Sequence, residues 1–155
     1  MVLMWYYKDK PFATTIDLSP FASQDGISWT ENLNDWQGFV YIITDLTNDK
    51  MYVGKKGFWS KKTQPPLKGK TRKRRSIVES DWKTYYGSSE TVKQLYEEKG
   101  DEGFYREILH FCKTKGEMSY LETKEQFDRA VLLDDKYYNG IINCRIHRSH
   151  VQRLK

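Results

Sequence analysis

The chain is short of several things, and each shortage narrows what it can do. Its two cysteines, Cys112 and Cys144, are too few for a disulfide framework and match no metal-binding spacing. They read as reduced thiols of a cytoplasmic protein. There are three histidines, none of them between Gly54 and His110. Cys144, His147 and His150 fall close together in a basic tail, but they lack the fourth ligand and second cysteine of a zinc finger. No apolar run approaches the roughly 20 residues of a membrane span. The apolar start from Met1 to Tyr7 is cut off by Lys8-Asp9-Lys10-Pro11. It carries neither a basic leader nor a cleavage site, so no secretory signal is expected. Internal repeats are absent, and 155 residues suit one domain with a real core.

Acid is missing in one place only. From Lys50 to Val78 there are eleven lysines or arginines and no Asp or Glu, while the chain as a whole carries +5. Folding does not require such segregation. It points to a polyanion-binding surface on an otherwise acidic protein. Phosphate charge does not by itself distinguish DNA from RNA.

Aromatic residues, by contrast, are abundant. Trp5, Tyr6, Tyr7, Phe12, Trp29 and Trp36 make residues 1–37 an N-terminal extension expected to pack on the domain. Residues 38–54 read Gly-Phe-Val-Tyr-Ile-Ile-Thr-Asp-Leu-Thr-Asn-Asp-Lys-Met-Tyr-Val-Gly. Two β-rich runs flank turn chemistry from Asp45 to Lys50, a β-hairpin pattern. Residues 55–80, with Pro65-Pro66 and Gly69, read as a long basic connection, of the kind that is often functional in a compact domain. A short helix or turn is expected over 81–86. Ser89 caps a helix from Glu90, which Gly100 ends. Phe104 to Phe111 alternates as a strand with Phe104, Arg106, Ile108 and His110 on one face. A second helix is expected over 117–133, then a β-rich segment over 137–146 and a basic tail over 147–155.

Phe39-Val40-Tyr41 and Tyr52-Val53-Gly54, with tyrosines eleven positions apart, resemble the signature of the GIY-YIG nuclease family. The resemblance covers roughly residues 38–146. It implies an α+β domain, a small three-stranded antiparallel sheet flanked by helices, here with the N-terminal extension and an insertion over 55–80. It further implies a metal-dependent DNA endonuclease with one Mg²⁺ or Mn²⁺ per site. Glu122, on the helix after the third strand and bordering its apolar stripe, would hold the metal. Tyr41 and Tyr52 would activate or position the attacking water, and Lys55 or Lys56 would stand where some members use histidine. The family's arginine is displaced here: Arg72, Arg74 and Arg75 follow the insertion, and Arg74 or Arg75 is favoured for the scissile phosphate. Asn143 resembles an asparagine that supports the site. Lys61, Lys62, Lys68, Lys70, Arg72 and Lys73 would bind double-stranded DNA.

The aromatic-basic stretches around Phe58-Trp59 and Trp82 look most like small stand-alone phage endonucleases of the homing type, active in a host cytoplasm. One metal centre makes one nick, so a double-strand break would need a homodimer or a second attack. Two rival readings share these residues. One is a catalytically inactive nucleic-acid-binding module, for which the basic segment would suffice. The other is a nuclease specific for branched DNA.

Overall fold

The computed structural model describes residues 5–12 and 35–155; Trp29 lies outside them. In chain order the elements are strands β1 (Trp5–Tyr7), β2 (Lys10–Phe12), β3 (Gly38–Asp45), β4 (Lys50–Gly57), β5 (Trp59–Gln64) and β6 (Arg74–Glu79), helix α1 (Glu90–Lys99), strand β7 (Phe104–Cys112) and helix α2 (Lys115–Asp128). Short 3-10 turns occupy Trp82–Thr84, Asp101–Gly103 and Arg148–Leu154.

The expected three strands are present as β3, β4 and β7, but the sheet has five, in the order β2-β1-β7-β3-β4. The extra pair comes from the N-terminal segment. Trp5 and Phe12 are both wholly buried, and β1 runs parallel to β7 through Tyr6–Glu107 and Tyr7–Ile108. An apolar face this aromatic stabilises an added hairpin that would be marginal alone. The connection over 55–80 is also not a loop. β4 runs on to Gly57, and β5 and β6 form a separate two-stranded antiparallel ribbon. Pro65, Pro66 and Gly69, which break the sequence pattern, are confined to its tip. The flanking Trp, Thr, Ile and Val residues favour strand.

One face of the sheet carries Phe39, Tyr41, Ile43 and Ile108, packed on Trp5, Phe58, Trp82 and Val92. Trp5 lies edge-on to Phe39 at 4.9 Å, and Phe58 to Trp82 at 5.1 Å. The other face carries Val40, Ile42 and Val53, covered by α2 and by Val131 just beyond it. A bulge interrupts the β3–β7 ladder: Val40 pairs with His110 but Tyr41 with Ile108. The bulge turns His110 away from Ile108, toward Glu125 of α2 at 2.8 Å. Alternation alone had put His110 on the opposite face.

α1 begins at Ser89, whose hydroxyl accepts from Val92 N–H, and stops at Gly100 with φ 71°. α2 is capped by Thr114 and ends five residues before Leu133, in a turn with Ala130 at φ 51°. Residues 137–146 form no strand. A single bridge pairs Met51 with Tyr137, because from Asn139 onward side chains, not backbone, reach β4. The tail folds as the 3-10 turn over Arg148–Leu154. Arg153 donates to both carboxylate oxygens of the buried Glu117, at 2.5 and 2.8 Å.

Asp45 ties the hairpin to two later segments. Its carboxylate accepts from Lys99 Nζ at 2.9 Å, Tyr138 Oη at 2.9 Å and Thr47 Oγ1 at 2.7 Å. Burial alone would raise its pKa, but these hydrogen bonds outweigh burial and hold the carboxyl at about 2. Because the folded value lies below the unfolded one, the stabilisation is present above pH 3.8 and is lost as pH falls toward 2. Asp45→Asn is therefore expected to cost about 2 kcal/mol near neutral pH and progressively less in acid. Urea melts of both proteins across that range would show it, and a constant difference would exclude the assignment.

Candidate active site

β4 is the outermost strand of the sheet, and its free edge is dressed by groups from elsewhere in the chain. Met51 N–H donates to Lys136 C=O at 2.7 Å, and Tyr138 N–H to Met51 C=O at 2.7 Å. Asn139 then takes over with its side chain: Oδ1 accepts from Val53 N–H at 3.0 Å and Nδ2 donates to Val53 C=O at 2.8 Å. Gln126 Nε2 adds a second donor to the same carbonyl at 3.2 Å. One alternation further, Lys55 lies beside Glu122 of α2. An edge that would otherwise offer itself to another strand is closed by side chains, and Glu122 stands next to it.

Beside this edge opens a cleft of about 270 Å³ lined by Tyr52, Lys55, Ser88, Glu122, Gln126, Ile141 and Asn143. The Glu122 side chain is only 13% exposed, and Lys55 Nζ lies 3.9 Å from its Oε1. Lys55 Nζ also donates to Ser119 Oγ at 2.8 Å. Desolvation raises the Glu122 pKa, with Lys55 only partly opposing it. Gln126, one helical turn on, has its buried Oε1 without a partner. A desolvated carboxylate in the cleft and an orphaned amide oxygen buried one helical turn away are both hard oxygen donors. They suit a cation that keeps several waters, such as Mg²⁺ or Mn²⁺. No cluster of three His, Cys, Asp or Glu occurs among the described residues, so a cage built wholly of protein ligands is not on offer there.

Tyr41 stands behind the cleft rather than in its lining. It pairs across the hairpin with Gly54, and its ring lies over that glycine. A Cβ at Gly54 would overlap the Tyr41 hydroxyl and sit 2.7 Å from Cζ. Gly87, at φ +90°, leaves room for both tyrosines: a Cβ there would meet the Tyr52 ring at 3.1 Å and the Tyr41 hydroxyl at 3.3 Å. The Tyr41 ring meets the Tyr85 ring edge-on at 5.9 Å and the Tyr52 ring at 6.4 Å, and Ser88 Oγ is hydrogen-bonded to Tyr52 Oη at 2.8 Å. Burial holds the Tyr41 pKa well above that of an ordinary phenol and raises that of Tyr52 as well. Both therefore act as neutral hydrogen-bonding phenols near pH 7, not as bases.

Lys56 follows Lys55 but points elsewhere, pairing with Asp81 at 2.6 Å and lying 4.1 Å over the Tyr85 ring. Thus the structure brings Tyr52, Lys55, Glu122 and Asn143 to one cleft, with Tyr41 and Lys56 joined to it through Tyr85. It does not bring Arg74 and Arg75 there. Those two line a cleft of about 850 Å³ at the ribbon tip with Lys70, Arg72 and Lys73. Lys61 lies near the ribbon base, and Lys62 and Lys68 are exposed.

A family model described as "Putative endonuclease segE, GIY-YIG domain" matches residues 22–142. The chain belongs to the GIY-YIG nuclease family. No curated protein and no solved structure matches it. Membership makes this a nuclease domain in general, acting on nucleic acid. Among the described residues, no helix of the GIY-YIG domain is long and apolar enough to cross a membrane.

Sequence reasoning missed Tyr85, Ser88, Gln126 and Asn139. The i,i+4 spacing of Glu122 and Gln126 was a usable signal. Nothing in the sequence separated Asn139, which clamps the strand, from Asn143, which lines the cleft.

Two outcomes follow from this geometry. Gly54→Ala is expected to lower stability by about 2–3 kcal/mol through overpacking. Adding Tyr41→Phe should restore only part of it, since Cζ remains in the way; thermal melts of the single and double variants measure this. For Glu122 the raised pKa means that the folded chain holds the proton to higher pH. Its favourable contribution is full below the ordinary carboxylate range and falls as pH rises through the raised value. Glu122→Gln should then melt roughly 3 °C higher near pH 7.5 and show no gain in acid. An unchanged or lower melting point at neutral pH would mean the carboxylate is not under strain.

Proposed function

We propose that this domain is a divalent-metal-dependent DNA endonuclease, hydrolysing phosphodiester bonds in duplex DNA in the manner of stand-alone phage or homing enzymes. The observation that carries the reading is the convergence of Glu122, Lys55, Tyr52 and Asn143 on one cleft, with Glu122 desolvated and set beside Lys55 of β4.

Glu122, assisted by the Gln126 oxygen, would hold Mg²⁺ or Mn²⁺, which supplies positive charge to a phosphate as negative charge develops on it. The chain's own residues do the rest. Lys55, held by Ser119 beside Glu122, adds a positive charge and a proton donor at the phosphate. Tyr52, with its proton retained, orients a water through its hydroxyl, and Asn143 offers amide hydrogen bonds on the opposite wall. Tyr41, packed behind the cleft with its ring 6.4 Å from that of Tyr52, positions that ring rather than touching substrate. The Gln126–Val53 and Asn139–Val53 bonds keep the walls in register with the strand. A single site cuts one strand at a time, so double-strand cleavage would use a homodimer or a sequential second attack.

The deciding experiment is nicking of supercoiled plasmid with Mg²⁺ or Mn²⁺ by the wild type and by Glu122→Gln. Wild type should cut. Glu122→Gln should bind plasmid as well but cut on the order of 100-fold more slowly or not at all. Equal cutting by the two would remove Glu122 from the site. Binding with steep salt dependence but no cutting by either, across several DNAs, would leave a binding module in place of the enzyme.

A further inference from the structure

The β5–β6 ribbon belongs to neither face of the core. It pairs with no other strand among the described residues, although a lone two-stranded hairpin is marginal in water. Its base is well fixed. Ser80 N–H donates to Phe58 C=O at 2.8 Å, Ser80 Oγ to Gly57 C=O at 2.5 Å, and Trp59 Nε1 to Trp36 C=O at 3.0 Å. Beyond that base the ribbon buries almost nothing, and Lys61 to Arg75 contains eight basic residues and no acid. Stability does not account for an exposed, like-charged arm held rigidly at its root.

The register separates its two faces. Trp59 opposite Glu79, Lys61 opposite Ile77 and Thr63 opposite Arg75 share one face. Near the root this face overhangs the body, where Trp59, Lys61 and Ile77 form a cleft with Gln37 and Lys115. The other face presents Ser60 opposite Val78, Lys62 opposite Ser76 and Gln64 opposite Arg74. Its distal half is thus Lys62, Ser76, Gln64 and Arg74. These are side chains that can reach purine edges with one or two hydrogen bonds, arginine to guanine and glutamine to adenine.

We propose that the ribbon is a sequence-reading arm that enters the major groove of B-form DNA. The Lys62, Gln64, Arg74 and Ser76 face meets base edges, and Lys68, Lys70, Arg72 and Lys73 at the tip hold flanking phosphates. The inference rests on the endonuclease reading for its duplex substrate. A two-stranded ribbon fits a major groove about 12 Å wide and not a minor groove about 6 Å wide. Six-residue strands reach roughly 20 Å, beyond the groove depth of about 8.5 Å. The Gln64–Arg74 pair can touch the groove floor while the root stays on the body. Charge alone would favour any phosphate backbone; the face that pairs Gln64 with Arg74 and turns away from the body makes this a reader as well as a binder. It also gives Arg74 and Arg75, absent from the Glu122 cleft, distinct placements on opposite faces of one arm.

The test measures binding of the full chain to a 40-base-pair mixed-sequence duplex in a cleavage-blocked Glu122→Gln background. Methyl green, which occupies the major groove, and netropsin, which occupies the minor groove, serve as competitors. Methyl green should displace the protein and netropsin should not. Gln64→Ala with Arg74→Ala should lose roughly 10-fold in affinity for the best-bound sequences of a randomised duplex pool and flatten its sequence preference. Lys70→Ala with Lys73→Ala should weaken all sequences alike and reduce the salt slope by about 2. Displacement by netropsin alone, or a Gln64/Arg74 double variant with unchanged sequence preference, would overturn the proposal. Binding is read apart from cutting, so a domain that never nicks plasmid but is displaced by methyl green, and loses sequence preference when Gln64 and Arg74 are replaced, would sink the endonuclease reading and keep the arm.

Discussion

The outer edge of β4 is the constraint on which the rest of this molecule depends. A last strand exposes every second N–H and C=O to whatever can pair with them. Here Met51 is met by the backbone of residues 136–138 and Val53 by the side chains of Asn139 and Gln126, with the Lys55 side chain beside Glu122 beyond them. The edge changes along its length from strand-like pairing to side-chain pairing. That change lets the C-terminal segment leave the sheet and opens the cleft where β4, α2 and residues 141–143 meet. A further strand pairing along this edge would have buried Glu122 and left no room for a ligand.

The opposite face of the hairpin solves a different problem. Tyr41 must be packed like a core residue, yet its hydroxyl cannot be left unpaired in an apolar cluster. Gly54 gives its ring space across the strand, and the Tyr85 and Tyr52 rings close around it. The result is a run of packed tyrosines from a buried ring to the wall of the cleft, where Tyr52 is held by Ser88. Burial raises both tyrosine pKa values, so these phenols keep their protons near neutral pH. The partner of Glu122 in the cleft is Lys55, whose side chain crosses the edge to Ser119 and Glu122.

How much of this was legible in the sequence depended on how local the signal was. The hairpin, the Ser89 cap, the Gly100 stop and the placement of Glu122 on the second helix are set by neighbours within a few residues, and period and capping chemistry revealed them. The ribbon was hidden because lysine-rich strands lack apolar alternation: with both faces in solvent, nothing forces a period of two. The N-terminal strands were hidden because β1 pairs in parallel with β7, about a hundred positions away. His110 changed face through one bulge, a one-residue event that alternation cannot show. Asn139 and Gln126 act on a strand more than seventy positions away, so only the folded chain identifies them.

The positive charge of the chain and its reactive carboxylate are kept apart, and the physics favours that separation. Lysines and arginines crowded around Glu122 would lower its pKa, lock it in ion pairs and compete with a divalent cation for its oxygens. Among the described residues only Lys55 pairs with it, and at 3.9 Å it attracts without forming a tight pair. Eight other cations, from Lys61 to Arg75, sit on an arm where mutual repulsion is screened by solvent and salt. Glu122 can therefore stay desolvated at some cost to folding, while the charge of the ribbon stays out of the cleft. Substitutions along the ribbon are then expected to leave the electrostatics of the carboxylate unchanged.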